Sequence, residues 1–508
     1  MDDWNRWNDD IDMWLEDETE ALIRDISCLV EIPSVALPDA AMPSAALPDA
    51  AIPSAALPGS AMAEKFSDAP YGAECQKVLV KGEELFKRYG FPSRRFQNKV
   101  ISCQLGVGER TLGIWGHLDV VPATGTWRYD PFTCVREGDF LLGRGTQDNK
   151  GPAMAALYAL RYIKERNIPL HQRVTLYLGS CEEVGMTDVE DYLKENEAPD
   201  FSFIADCGFP VCYGEKGIIE AELSADNRLE TISRIAGGTV TNSIPDSAVA
   251  VVNNCGGLDR EVTKELTVEA AGIAGHAAFP DGAVNAIGVL AGKLLSMGQV
   301  GKEAEENESA SCDSVLTPNE ISLCKFLVLA CQDGYGTGLG LACQDSLSGR
   351  LTASCSVIES IQQSVTLKFN IRYPIQADSR EIRRKLEAIA GQYHFKLTYF
   401  HDSPPSYYDP ESAEVKSLMA VYREELKQDS PAYVMGGGTY ARKIPRAVGF
   451  GPGLPADLSS LNLKPGEGSC HAVNEAQSLT NLKKAIKIYI KAILKLDQIE
   501  GEEEYENN

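Results

Sequence analysis

Three apolar runs separated by helical segments constrain this chain more than anything else in it. TLGIWGHLDVV, RVTLYLGS and FSFIAD each read as a buried strand, and GPAMAALYALRYIKERN and VEDYLKEN between them read as helices. Parallel strands need a crossover, so this alternation predicts an α/β layer with a mostly parallel central sheet. Each strand ends in residues of metal-ligand type: His117 and Asp119, then Glu182 and Glu183, then Asp206. The loop GRGTQDNKG adds Asp148 just before the helix that begins near Gly151. Sites in open α/β sheets gather beyond the carboxyl ends of the strands. Five carboxylates and a histidine gathered there repel one another unless cations sit among them. Taken singly, each signal has a plainer reading: a turn histidine bonded to an Asp, a Gly-rich turn without phosphate-binding spacing, a solvated Glu-Glu pair. Their order at successive strand ends favours a metal. His and carboxylate ligands suit zinc, with manganese or cobalt as alternatives.

A chain of 508 residues exceeds one compact core, so two or more domains are expected. The net charge of −25 argues against nucleic acid and anionic membrane as partners. The acidic N-terminal stretch lacks the order of a signal peptide, and no apolar run is long enough to span a bilayer. The 14 cysteines are scattered singly, without a CxxC pair, and point to reduced thiols in a cytoplasmic protein. Cys181 and Cys470 sit beside candidate site residues and are expected to be buried spectators.

Residues 13–32 and 72–90 read as helices. Between them ALPDAAMPSA, ALPDAAIPSA and ALPGSAM repeat, and the Ala/Pro segment 34–62 is taken as an extended insertion without chemistry. Near Tyr213 the pattern changes to half-buried alternating strands with one or two helices, continuing to Pro374, with a polar loop at 299–320. The chain then returns to helix–strand alternation and ends in a strongly periodic helix and an acidic tail. The expected domains are 1–214 with 375–508, the catalytic α/β unit, and 215–374, an inserted α+β unit.

GHLDVVP, GRGTQDNKGP, EEVG, ADCG, GHAAFP, FNIRYP, GGGTYAR and CHAVNE, in that order, resemble the two-metal peptidases that include ArgE, DapE, the carnosinases and the PepV/Sapep-type dipeptidases, the last type above all. The resemblance covers nearly the whole chain apart from the Ala/Pro repeat and residues 299–320. It implies a ferredoxin-like lid on the catalytic domain and two divalent ions bridged by Asp148. His117 and Asp206 would complete one metal site, Glu183 and His471 the other. Asp119 would hydrogen-bond the second ring nitrogen of His117, Glu182 would be the general base, and a cis peptide would follow Asp148. His276 would stabilise the oxyanion. Arg372 would grip the substrate carboxylate, with Asn242, Gly437, Gly438 and Thr439 as further contacts. The lid would close about hinges near 213–217 and 374–377. Asn149, where an Asp often stands, is expected to matter little.

The implied activity is hydrolysis of small peptides by water activated between the two ions. Xaa-His and β-Ala dipeptides are candidate substrates. A monomer is expected, with a homodimer as the alternative. An N-acyl amino acid deacylase or an aminopeptidase shares the same chemistry, and a catalytically silent metal-binding module is the rival from another class.

Overall fold

The computed structural model describes residues 2–37, 68–226, 228–254, 264–304 and 316–499. Of the insertion expected at 34–62, only Ser34–Leu37 lies within the described residues, and these belong to the folded domain. Ser34 Oγ donates to Leu118 O at 2.6 Å, and Leu37 N donates to Tyr71 O at 3.0 Å. The expected boundary at 34 is therefore too early; the repeat that follows lies outside the described residues. Among them no helix is long and apolar enough to cross a membrane.

Nine strands form the larger sheet. Its centre is parallel, in the order Arg173–Gly179, Thr111–His117, Phe201–Ile204, Ala447–Phe450. These strands are buried at nearly every position, which is why they read as continuous apolar runs rather than alternating ones. The helix Lys150–Glu165 packs between the helices Asp2–Val30 and Leu479–Leu496, and only its last residues escape burial. The margins are largely antiparallel: Ser93–Phe96 and Val100–Leu105 at one edge, Val211–Glu215 with Ser406–Tyr407 at the other, where Tyr433–Met435 joins Val211–Glu215 in parallel. All three strand ends carrying candidate ligands lie in the parallel centre.

Seven antiparallel strands form the lid sheet, in the order Lys264–Ala271, Ser247–Asn254, Ile232–Gly237, Thr352–Ile361, Ser364–Tyr373, Gly217–Ala225, Lys396–Ser403. Burial alternates residue by residue along Gly217–Ala225, placing Ile219, Ala221 and Leu223 in the lid core. Leu290, Phe326 and Leu386, from the helices Ala286–Ala304, Pro318–Ala330 and Ser379–Gln392, pack into the same core.

The lid therefore runs past the boundary expected at 374. The helix Ser379–Gln392 and the strand Lys396–Ser403 join its core and its sheet, and the chain rejoins the catalytic sheet at Ser406–Tyr407. A helix followed by a strand looks the same in sequence whichever sheet receives it. The first crossing, at Lys216, falls within 213–217 as expected; the second lies between Ser403 and Ser406, not at 374–377. The loop expected at 299–320 is shorter at both ends. The helix Ala286–Ala304 enters it, and Thr317 with Glu320 forms a capping box that starts the next helix.

Candidate metal centre

The strand Arg173–Gly179 ends in SCEE, and its next four amides are all received by two buried carboxylates. Ser180 N and Cys181 N donate to Asp188 Oδ2 at 2.8 and 3.0 Å. Glu182 N and Glu183 N donate to Asp119 Oδ1 and Oδ2 at 3.1 and 3.0 Å. Buried backbone donors need acceptors, and here charged ones hold the turn that carries the glutamate pair. This adds to the role expected of Asp119. His117 Nδ1 donates to the Asp119 carbonyl oxygen at 3.0 Å, while the carboxylate Oδ1 stands 3.4 Å away. The carboxylate also holds the neighbouring turn, and both the Asp119 carbonyl and its Oδ1 favour a proton on Nδ1 of His117.

With its proton on Nδ1, His117 turns the lone pair of Nε2 towards Asp148 Oδ1 at 3.1 Å and Asp206 Oδ2 at 3.5 Å. His471 Nε2 lies 3.0 Å from Asp148 Oδ2 and 3.2 Å from Glu183 Oε1. The two oxygens of Asp148 thus face one imidazole each. A lone pair facing a carboxylate is repulsive unless a proton or a metal ion stands between them. Potential ligand atoms of His117, Asp148 and Glu183 lie within 4.8 Å of one another, as do those of His117, Glu182 and Asp206. Glu182 Oε1 is buried and has no hydrogen-bond partner among the described residues. These donors, oxygen with imidazole nitrogen, fit divalent cations.

The electrostatics agree. Burial, reinforced by neighbouring carboxylates, raises the pKa values of Glu182 and Glu183 and pushes Asp206 up to about 7. Burial acts the same way on Asp148, but hydrogen bonds from His117 and His471, both imidazoles carrying the extra proton when no metal is bound, bring it below the usual carboxylate range. Burial lowers the affinity of both imidazoles for protons, yet the carboxylates outweigh it. His117 is raised well above its ordinary value, chiefly by Asp206, and His471 rises to about 12 through Glu183 and Asp148. Excess negative charge is thus concentrated where a cation is needed.

Other buried groups, not singled out from the sequence, hold these ligands. Glu475 Oε1 accepts the amides of Gly145, Gln147 and Asp148 at 3.0, 2.8 and 3.1 Å. Its Oε2 pairs with Arg144 Nη1 at 2.6 Å, and Arg144 Nη2 donates to His471 O at 3.1 Å. One buried ion pair therefore ties the Asp148 loop to the His471 loop. Both residues sit inside the quoted motifs, but no spacing rule pairs positions so far apart. The peptide between Asp148 and Asn149 is cis. Cys181 is buried, as expected; Cys470 is exposed.

The residues expected to meet the substrate fall into three groups. His276 Nδ1 accepts from Ala278 N at 3.1 Å, so the neutral ring carries its proton on Nε2 and presents a donor. Burial and then the charges of Arg372 and His471 keep its pKa low, favouring that neutral form. Asn242 is exposed beside it, its carbonyl accepting from Ala277 N at 2.9 Å. Arg372 is buried, donating from Nε to Asn370 Oδ1 at 2.7 Å and from Nη1 to Gly436 O at 3.0 Å. Among the described residues no carboxylate pairs with it, and burial pushes its pKa down to about 10. Thr439 departs from expectation. Its amide and hydroxyl both donate to Glu215 Oε1, at 2.9 and 2.7 Å, leaving neither for a substrate. Gly437 O accepts from Arg442 Nη2 at 3.3 Å, and Gly438 leaves the room that the Arg442 guanidinium fills.

Residues 113–495 match the model of peptidase family M20/M25/M40. The chain is 30% identical over 454 residues to "Putative dipeptidase YtjP" of Bacillus subtilis, covering 84% of this chain and 92% of that one. It is 29% identical over 443 residues to the Beta-Ala-Xaa dipeptidase of Lactobacillus delbrueckii, covering 85% and 91%. Among solved structures, human carnosine dipeptidase 1 shares the fold at a TM-score of 0.56 and 15% identity, over 97% of this chain and 99% of that one. The dipeptidase Dug1p of Saccharomyces cerevisiae shares it at 0.56 and 14%, over 96% and 98%.

Proposed function

The chain belongs to peptidase family M20/M25/M40 and is a metallopeptidase, and from that premise we propose that it hydrolyses dipeptides at the amide next to a free carboxylate. The observation that carries this reading is Asp148, whose two oxygens face His117 and His471 separately, beside Glu182, whose buried Oε1 has no hydrogen-bond partner among the described residues. Asp148 would bridge two divalent ions, with His117 and Asp206 holding one and Glu183 and His471 the other. Zinc is proposed, with manganese or cobalt as alternatives. When bound, the ions supply Lewis-acid polarisation of the scissile carbonyl and lower the pKa of water.

The remaining steps belong to side chains. Glu182, its proton affinity raised by burial, takes the proton of the attacking water and returns it to the leaving amine. His276 offers its Nε2 proton to the carbonyl oxygen as negative charge develops there. Arg372, buried and without a carboxylate partner among the described residues, takes the substrate carboxylate in its planar fork. Asn242 stands next to His276 on the lid and would contact the same end of the substrate. His276, Asn242 and Arg372 all belong to the lid, so closure of the lid onto the catalytic domain completes the site. The name of the Lactobacillus relative supports β-Ala dipeptides as substrates. Action as a monomer is proposed with the lid enlarged to seven strands, a homodimer being the alternative.

Glu182→Gln decides the central role. The variant is expected to bind metal as the parent does and to lose turnover by about a hundredfold or more. Hydrolysis at near-parental rate would remove Glu182 as the base. A panel of β-Ala and Xaa-His dipeptides against acetylated amino acids separates a dipeptidase from a deacylase.

A further inference from the structure

We infer that Asp188 and Tyr440 are positioning residues, holding the Glu182 turn in register with the loop on which the lid rests; the inference depends on Glu182 being the general base. Tyr440 is fully buried, and its Oη donates to Asp188 Oδ2 at 2.5 Å. That same oxygen accepts Ser180 N and Cys181 N, the two amides immediately before Glu182. Asp188 Oδ1 accepts its neighbour Val189 N at 2.8 Å. One carboxylate oxygen therefore joins a side chain of the Gly436–Arg442 segment to the backbone that aims Glu182.

Packing fixes where the phenol sits. The Tyr440 ring stands edge-on to the His117 imidazole, centroids 6.4 Å apart, and to Trp115 at 6.3 Å. Trp115 in turn stacks on Tyr177 at 4.0 Å. Gly179 is shaped by the same link. A Cβ there would come within 2.0 Å of Tyr440 Oη and 2.4 Å of Asp188 Oδ2, so the strand must omit a side chain where the tie passes.

The other end of the segment is equally anchored. Thr439 is bonded to Glu215 as described, Arg442 Nε donates to Glu215 Oε2 at 3.1 Å, and Gly436 O receives Arg372 of the lid. Buried polar contacts thus run from Arg372 through this segment to the turn before Glu182. A displacement of the turn by a fraction of an ångström moves the base relative to its water, and rates are steep in that distance. A tie serving only to hold two loops together would not need to end on those two amides.

The test uses the full-length, metal-loaded protein. Tyr440→Phe keeps the ring and removes one hydrogen bond; it is expected to lower kcat about tenfold, with KM and metal content unchanged. Asp188→Asn should act in the same direction, and the double variant should fall no further than the worse single one. Hydrogen exchange of the segment 179–186 should speed up in both. Normal kcat and unchanged exchange in folded Tyr440→Phe would overturn the inference, as would additive effects, loss explained by missing metal, or a change in KM alone. Should Asp188→Asn fail to fold, exchange and kcat in Tyr440→Phe decide. Glu182→Gln, run alongside, separates the two claims. If that variant stays active, the base assignment fails; if it is dead while Tyr440→Phe is normal, the tie alone fails.

Discussion

An asparagine amide has two hydrogens to give, and Asn149 spends its own beside the metal centre. Nδ2 donates to Ala205 O at 2.7 Å and Asp206 Oδ1 at 2.8 Å, while Oδ1 accepts His117 N at 3.2 Å. The side chain is fully buried and orients a ligand on one strand while bracing the ligand-bearing strand beside it. These bonds speak against the expectation that this position matters little. Asn149→Ala should weaken metal binding about 10- to 100-fold at the site served by Asp206, the usual effect of removing a group that orients a ligand. A competition titration with a chelating dye reads this directly. Parental affinity would mean that the strand ends suffice to aim Asp206. Glu475 teaches the same lesson: burial pushes its pKa up to about 7, and the Arg144 pairing with three amides is what makes so costly a group useful.

The Gly436–Arg442 segment is the element on which the two domains meet. A Cβ at Gly436 would lie 2.9 Å from Ala278 Cβ of the lid, closer than methyl groups approach. Gly436→Ala should therefore hinder closure while leaving the metal ligands in place. Overpacking of this kind costs about 1–3 kcal/mol, so KM should rise about five- to tenfold or more. Steady-state kinetics with a dipeptide checks it, and an unchanged KM would mean that the lid lands elsewhere during turnover. The antiparallel margins of the catalytic sheet and the late return from the lid belong to this level too. Both depend on which sheet edge a strand joins, and a strand carries no mark of its edge beyond its apolar pattern.

For the molecule as a unit, the metal ions and the fold stabilise each other through charge. Without metal, Glu182, Glu183 and Asp206 have pKa values above those of an unfolded chain. Their contribution to stability is full at low pH and is lost as pH rises through the folded values, about 7 for Asp206. His117 and His471 are raised as well, so their contribution also declines once unfolded imidazole loses its proton, above about pH 6.5. Asp148, lowered instead, loses its contribution only in acid. Chelated protein should therefore melt at a lower temperature at pH 8 than at pH 6, and added zinc should restore more stability at pH 8. Calorimetry with and without chelator tests this; a pH-independent loss would show that the cluster's charge does not govern stability.

Much of this protein was legible in the amino-acid order because its signals are local. A strand buried on both faces must be apolar throughout, and a ligand at its end must follow it directly, so His117, Glu182, Glu183 and Asp206 could be placed before any coordinates. Asp148 was legible from its loop before a helix, whereas the roles expected of His276, Arg372 and His471 rested on the resemblance of their motifs to a known family. What folding alone decided is everything that joins distant segments: Asp119 and Asp188 sharing four successive amides, Arg144 finding Glu475, Thr439 turning to Glu215, and the lid keeping its last helix and strand. Such pairings arise because each buried donor or charge must find a partner in the space that packing leaves, and proximity in that space is not written in sequence distance.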